Sequence, residues 1–127
     1  MAWRSYRNKY GNHKVVVNGI EFDSKKEAVR FLELQALEKA GKIGCLERQK
    51  KFVLVPAQYE PDTIGPRGGK KKGKLLEREV SYYADFFYMG ENGFVVEDVK
   101  SEATRTPEYI IKRKLMRWLH GLEVLEV

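Results

Sequence analysis

Two aspartates and a lysine are the residues whose types and spacing suggest chemistry. Asp85 closes Ser81-Tyr82-Tyr83-Ala84-Asp85, and Asp98 and Lys100 lie in Glu97-Asp98-Val99-Lys100. Between them Gly90-Glu91-Asn92-Gly93 reads as a turn joining two strand-like runs, 76–89 and 94–100. Pairing those runs about the turn sets Asp85 opposite Asp98 on one face, with Cβ atoms about 4.5–5.5 Å apart. Like charges so opposed destabilise a sheet, and a hard divalent cation with carboxylate ligands compensates. Lys100, two residues beyond Asp98, shares that face, while Glu97 points to the other and is left out of the cluster. A cation on two aspartates with a lysine beside it suits phosphodiester hydrolysis. The cation neutralises phosphate charge and acidifies a bound water. The lysine orients that water or stabilises developing negative charge. Alone, Asp-Val-Lys reads first as a solvent-facing strand whose Asp98 and Lys100 pair as surface charges, because such tripeptides are common.

The elements that must position these residues can be read around them. Val15-Val16-Val17, Asn18-Gly19 and Ile20-Glu21-Phe22 predict a β-hairpin with a type I′ turn. Ser24-Lys25-Lys26-Glu27 opens a helix over about 24–40, with Ala28, Phe31, Leu32, Ala36 and Leu37 at helical spacing and Gly41 as its stop. Residues 45–55 form a strand closed by Pro56, and 61–74, rich in Gly, Pro and Lys, read as a long mobile loop. In 76–89, Val80, Tyr82, Ala84, Phe86 and Tyr88 share one face, and Ser81, Tyr83, Asp85 and Phe87 the other. Thr106-Pro107 starts a second helix reaching about His120, with Ile110, Ile111, Leu115, Trp118 and Leu119 inward and Gly121 as its end. Leu122–Val127 is a last strand.

After the hairpin the order is therefore α-β-β-β-α-β, an α/β (α+β) mixed sheet flanked by helices. The domain reading is a basic, aromatic N-terminal arm at 1–14 and one domain at 15–127 with a flexible basic loop at 61–75. Glu27, at the third helical position, can reach back to the Ser24 amide as half of a capping box, or turn toward the aspartates. Both readings stand. Gln49, on the strand after the helix, faces either the same site or solvent.

Taken together, the upstream helical Glu27, Tyr83-Ala84-Asp85, Glu97-Asp98-Val99-Lys100 and the α-β-β-β-α-β order resemble the PD-(D/E)XK nuclease superfamily. The wider pattern of basic start, valine hairpin and Phe22-Asp23-Ser24-Lys25-Lys26-Glu27-Ala28 resembles its small, phage-type, Holliday-junction-resolvase-like branch. The resemblance covers roughly 13–127, and it departs from the motif where Ala84 stands in place of proline. It implies a restriction-endonuclease-like core and a metal-dependent DNA endonuclease. Asp85, Asp98, the Val99 carbonyl and Glu27 would hold Mg²⁺ or Mn²⁺, and Lys100 would be the catalytic lysine. It further implies branched or recombination DNA as substrate, a homodimer for paired incisions, and a phage or prophage protein in the bacterial cytoplasm. The rival reading is a nuclease-fold module that binds DNA without cutting it, and RNA is a third, weaker substrate.

Charge agrees with a polyanion partner. The net is +6 over 127 residues, but it is unevenly divided. Residues 1–14 carry +4, 66–78 carry +5 and 105–117 carry +4, whereas 79–104 carry −5 with Lys100 as their only base. Arg67, Lys70, Lys71, Lys72 and Lys74 are the main candidates for phosphate contact, joined by Arg4 and Arg7 of the arm and Lys112 of the second helix. In the arm Trp3, Tyr6 and Tyr10 interleave with these bases, a mixture that also suits a dimer contact. One cysteine, Cys45, excludes an internal disulfide and favours a reducing compartment. With His13 and His120 it cannot make a structural zinc site. No apolar run is long enough to span a membrane, and the polar start does not read as a signal peptide.

Overall fold

A computed structural model describes residues 4–7 and 13–127, with side chains from Lys14 onward. Strands β1 (Arg4–Arg7), β2 (His13–Val17) and β3 (Ile20–Phe22) form an antiparallel sheet of their own. Asn18 and Gly19 between β2 and β3 both have positive φ, 52° and 78°, as the expected type I′ turn requires. Residues 4–7 are thus a strand paired with β2 and not wholly a free arm. Trp3, Lys9 and Tyr10 lie outside the described residues.

Helix α1 (Lys25–Lys39) starts where Ser24 accepts a hydrogen bond from the Glu27 amide. Its buried stripe is Glu27, Ala28, Phe31 and Leu34, so the expected inward Ala36 and Leu37 are exposed. The long strand β4 (Gly44–Val55) leads into the short strands β5 (Gln58–Tyr59), β6 (Thr63–Ile64), β7 (Lys70–Lys71) and β8 (Leu75–Glu77). Then come β9 (Val80–Gly90), β10 (Gly93–Asp98), a 3-10 turn at Glu102–Thr104, helix α2 (Pro107–His120) and β11 (Val124–Glu126). The main sheet has the order β11-β10-β9-β4, with β10 and β11 parallel and the other pairs antiparallel. The result is a mixed α+β fold of two helices on a mixed sheet.

Two apolar cores lie on opposite faces of this sheet. Val95, Phe86 and Tyr88 pack with Phe31 and Leu34 of α1 and with Val15, Val17 and Phe22 of the N-terminal sheet. Val96, Phe87, Tyr82 and Ala84 pack with Tyr109 and Met116 of α2 and with Leu54 and Val124. Consecutive strand residues point to opposite faces, so Val95 and Val96 assign the two helices to different sides.

This membership corrects the expected alternation of β9. Tyr82 and Ala84 belong to the α2 side and Phe86 and Tyr88 to the α1 side, so the sense of alternation changes at Asp85. The register does not change there: Arg48 opposes Phe86 and Lys50 opposes Ala84. The residue between them on β4, Gln49, has φ of 50°. Gln49 therefore has left-handed backbone just where the alternation of β9 switches, with no residue inserted in the register.

Two further expectations change. Segment 61–74 is not a plain loop. Its flanks pair as β5 with β8 and its interior as β6 with β7, so 58–77 form a two-stranded ribbon growing out of β4 and β9. The Glu60 amide bonds the Lys74 carbonyl at 2.8 Å, and the Gly73 amide bonds Asp62 Oδ1 at 2.9 Å. At Gly73 a Cβ would sit 1.7 Å from the Glu60 carbonyl oxygen, so only glycine permits this approach. On α2 the buried residues are Tyr109 and Met116, while Ile111, Leu119 and Trp118 are exposed, the last at 83%. The helix carries more apolar residues than its face on the sheet can cover.

Candidate active site

The β9–β10 ladder runs from Gly93↔Gly90 to Glu97↔Phe86, the register expected from the turn. One step further, Asp98 comes opposite Asp85, just where β10 ends and the alternation of β9 switches. Asp85 is fixed at both oxygens. Its Oδ2 accepts the Val99 amide at 2.8 Å, and its Oδ1 accepts Gln49 Nε2 at 3.1 Å. Asp98 is 4% exposed, and its Oδ2 accepts the Tyr82 hydroxyl at 2.5 Å. Lys100 Nζ stands 3.4 Å from the same oxygen and 4.0 Å from the Tyr109 ring centroid. The cation–π contact gives the ammonium a fixed position beside the acid.

Glu27 reaches this group from α1. Its place one turn before Phe31 puts it on the buried stripe of the helix, where it is 4% exposed. Its Oε1 accepts Gln49 Nε2 at 3.4 Å, so one amide group bridges Glu27 and Asp85. Ser24 caps the Glu27 amide, which leaves the Glu27 carboxylate directed at Gln49. The Glu27 carboxyl also takes a backbone hydrogen bond at Asp23, beside the helix start, so it touches both the cap region and Gln49.

The electrostatics follow from burial and crowding. Burial first, and then the nearby charge of Asp85, pushes the Glu27 carboxyl up to about 7. Burial, then a hydrogen bond and repulsion from Asp85, pushes Asp98 to about 7, against the pull of Tyr82 and Lys100. Burial and the Asp98 charge also raise the Tyr82 hydroxyl, which therefore remains a donor at neutral pH. Burial and mutual repulsion thus raise two carboxyls that lie beside a third acid.

Glu97, the neighbour of Asp98, is treated differently. It is 1% exposed on the opposite face and receives two bonds from Arg30, Nε and Nη2, each at 2.7 Å. The Tyr88 hydroxyl adds a third. This acid is fully compensated and lies outside the cluster, as its place in the strand implies.

Asp85, Asp98, Val99, Lys100 and Glu27 all line one cleft of about 990 Å³. Lys112 lines it as well, ion-paired to Glu108 at 3.1 Å, and so does Lys14. Arg67, Lys70, Lys71, Lys72 and Lys74 do not; they stand on the ribbon. Arg4 and Arg7 have their backbone in β1, and their side chains lie outside the described residues. The cation implied by the resemblance needs hard oxygen donors, and two adjacent carboxylates with a third acid nearby are that kind of donor set. Among the described residues, however, no three acids, histidines or cysteines converge into a complete cage. The arrangement fits an ion held by Asp85 and Asp98, with Glu27 one residue removed behind Gln49.

Sequence reasoning missed Tyr82 as a partner of Asp98, having placed it only in the core. Its signal was a tyrosine near an aspartate on a strand whose alternation was taken to be regular.

A family described as "Protein of unknown function (DUF1064)" matches residues 7–122. No curated protein and no solved structure matches the chain. Among the described residues no helix is long and apolar enough to cross a membrane.

Proposed function

We propose that this chain, which belongs to the DUF1064 family, is a divalent-metal-dependent DNA endonuclease. The observation that carries the reading is the opposition of Asp85 and Asp98 at the floor of a cleft, with Lys100 Nζ 3.4 Å from Asp98. A bound Mg²⁺ or Mn²⁺ would supply charge neutralisation of the phosphate and an acidified water. The chain's own residues do the rest. Tyr82 holds the orientation of the Asp98 carboxylate, and the Val99 amide and Gln49 hold that of Asp85. Lys100, steadied on Tyr109, presents a positive charge to the scissile phosphate. Lys112 and Lys14, on the cleft wall, meet flanking phosphates.

Branched DNA as substrate and a homodimer for paired incisions extend this proposal from the superfamily resemblance. The exposed apolar residues of α2, Ile111, Trp118 and Leu119, offer surface for a second copy. A DNA-binding module without catalysis is the second reading, and what favours it is the lack of three converging ligands among the described residues.

Labelled linear, nicked and four-way-junction DNA, with and without Mg²⁺, separates the two. Cleavage should require metal, and Asp98→Asn should abolish it while keeping or tightening DNA binding. Lys100→Met should lower the cleavage rate by about 10²–10⁴. Unchanged cleavage by Asp98→Asn refutes the site; no cleavage of any of these DNAs by the unaltered protein, with binding intact, leaves the module.

A further inference from the structure

The ribbon at 58–77 combines three features that a merely connecting hairpin does not need. It is strongly basic, with five bases against Asp62 over 61–74. Its bases are held along it: Lys72 Nζ lies 4.4 Å from the Tyr59 ring centroid, and Lys70 pairs with Asp62 at 3.3 Å. Arg67, Lys71 and Lys74 pair with no acid among the described residues. Its end is apolar, with Ile64 80% exposed and Pro66 two residues on, in a turn closed by the Gly65 and Gly69 backbone at 2.7 Å. An isoleucine left so bare at the tip of a projecting element gains nothing in folding.

We propose that this ribbon is a duplex-DNA arm: its lysines track the phosphates along the minor groove and Ile64 wedges into a base step, unstacking it and kinking the duplex. A narrow two-stranded ribbon can follow a groove, and apolar wedges flanked by Lys and Arg are how minor-groove proteins bend DNA. Base unstacking costs a few kcal/mol per step, which phosphate contacts on both sides of the wedge offset. From Gln58 to Ile64 the ribbon extends up to about 20 Å at ~3.3 Å per residue. Lys70, opposite Ile64, is fifteen residues from Asp85, so the tip stands up to about 50 Å from the cleft, or about one and a half duplex turns. A duplex of about one and a half turns or more is long enough to reach from the tip to the cleft. The inference rests on the DNA reading of these bases but not on catalysis.

The test uses the full chain in EDTA with a 40-base-pair duplex, end-labelled for energy transfer and carrying 2-aminopurine at successive positions. Binding should raise transfer between the ends and brighten 2-aminopurine at one step. Ile64→Ser, compared at saturating protein, should lose most of both signals. Changing Lys70, Lys71 and Lys72 to Ala should weaken binding and reduce the slope of log K against log salt by about 2.7, for three phosphates at ~0.9 each. Unchanged optical signals on saturation by the unaltered protein overturn the proposal. So does full distortion by Ile64→Ser, or equal or tighter binding to duplex RNA of the same sequence. The assay contains no metal and reads no cleavage. A protein that bends DNA but never cuts it overturns the endonuclease reading alone, and one that cuts but never bends overturns only the arm.

Discussion

Without metal, Asp98→Asn should stabilise the protein, and the gain should depend on pH. The Asp98 carboxyl sits at about 7 in the folded chain against an ordinary value of 3.8, because it is buried and faces Asp85. Each tenfold in proton affinity corresponds to about 1.4 kcal/mol. Ionising Asp98 at pH 8 thus costs the folded state at most about 4 kcal/mol relative to the unfolded chain. Asparagine is close in shape, carries no charge and can still accept the Tyr82 hydroxyl. It gives up the attraction of Lys100, 3.4 Å away. A net gain of about 2 kcal/mol at pH 8 is expected, or a rise in Tm of roughly 6–10 °C for a domain of this size.

The sign follows from linkage. A carboxyl whose folded pKa is raised binds more protons folded than unfolded, so its contribution is fully present below the unfolded value and is lost as pH rises through about 7. The advantage of Asp98→Asn should therefore be largest near pH 8 and shrink toward pH 5, where the wild-type carboxyl is already protonated. Mg²⁺ should reverse the order by stabilising the wild type alone. Urea denaturation of both proteins at pH 5 and 8, with EDTA or with Mg²⁺, reads all four differences. A variant less stable than wild type at pH 8 in EDTA, or a difference indifferent to pH, refutes the reasoning.

Two other perturbations separate structural acids from the site. Arg30→Met should cost about 2–4 kcal/mol in urea denaturation, because it strands Glu97, 1% exposed, with Tyr88 as its remaining partner. Replacing both partners, Arg30→Met with Glu97→Met, should recover most of that loss. Gly73→Ala forces the ribbon apart at Glu60. It should weaken DNA binding and open 56–79 to proteolysis while changing the stability of the two cores by under about 0.5 kcal/mol, since the ribbon packs in neither.

What could be read from the chain was what short-range rules control. The turn at Gly90–Gly93 determines the β9–β10 register, and the register brings Asp85 to Asp98. Ser24 and Thr106-Pro107 mark the starts of both helices within a residue. What could not be read depended on long-range packing. The switch of alternation at Asp85 accompanies a left-handed Gln49 on the partner strand, and glutamine gives no local sign of that backbone. The ribbon escaped notice because glycines and lysines carry no period of two, and its pairing depends on β4 and β9 already being aligned. The inward face of α2 differs from the expected one because Ile111 and Trp118 are apolar and helically spaced yet lie off the stripe that Tyr109 and Met116 bury.

The contrast between Glu97 and Asp98 bears most directly on what the cleft is for. They are consecutive, and both are almost wholly buried. A buried carboxylate must be compensated or it loses its charge. Glu97 receives a two-pronged guanidinium and a phenol, the compensation that structural acids are given. Asp98 receives a phenol and an ammonium at 3.4 Å, and it faces another acid. Asp85 is held by a backbone amide and by a glutamine whose own backbone is strained. Asp98 lacks the two-pronged guanidinium that Glu97 has. On the proposed reading, this carboxylate pair, with Lys100 3.4 Å from Asp98 as its nearest base, is where a divalent cation arriving from solvent would bind. On the same reading, the bases of the cleft wall and of the ribbon would draw a polyanion toward acids that repel it until a cation is bound.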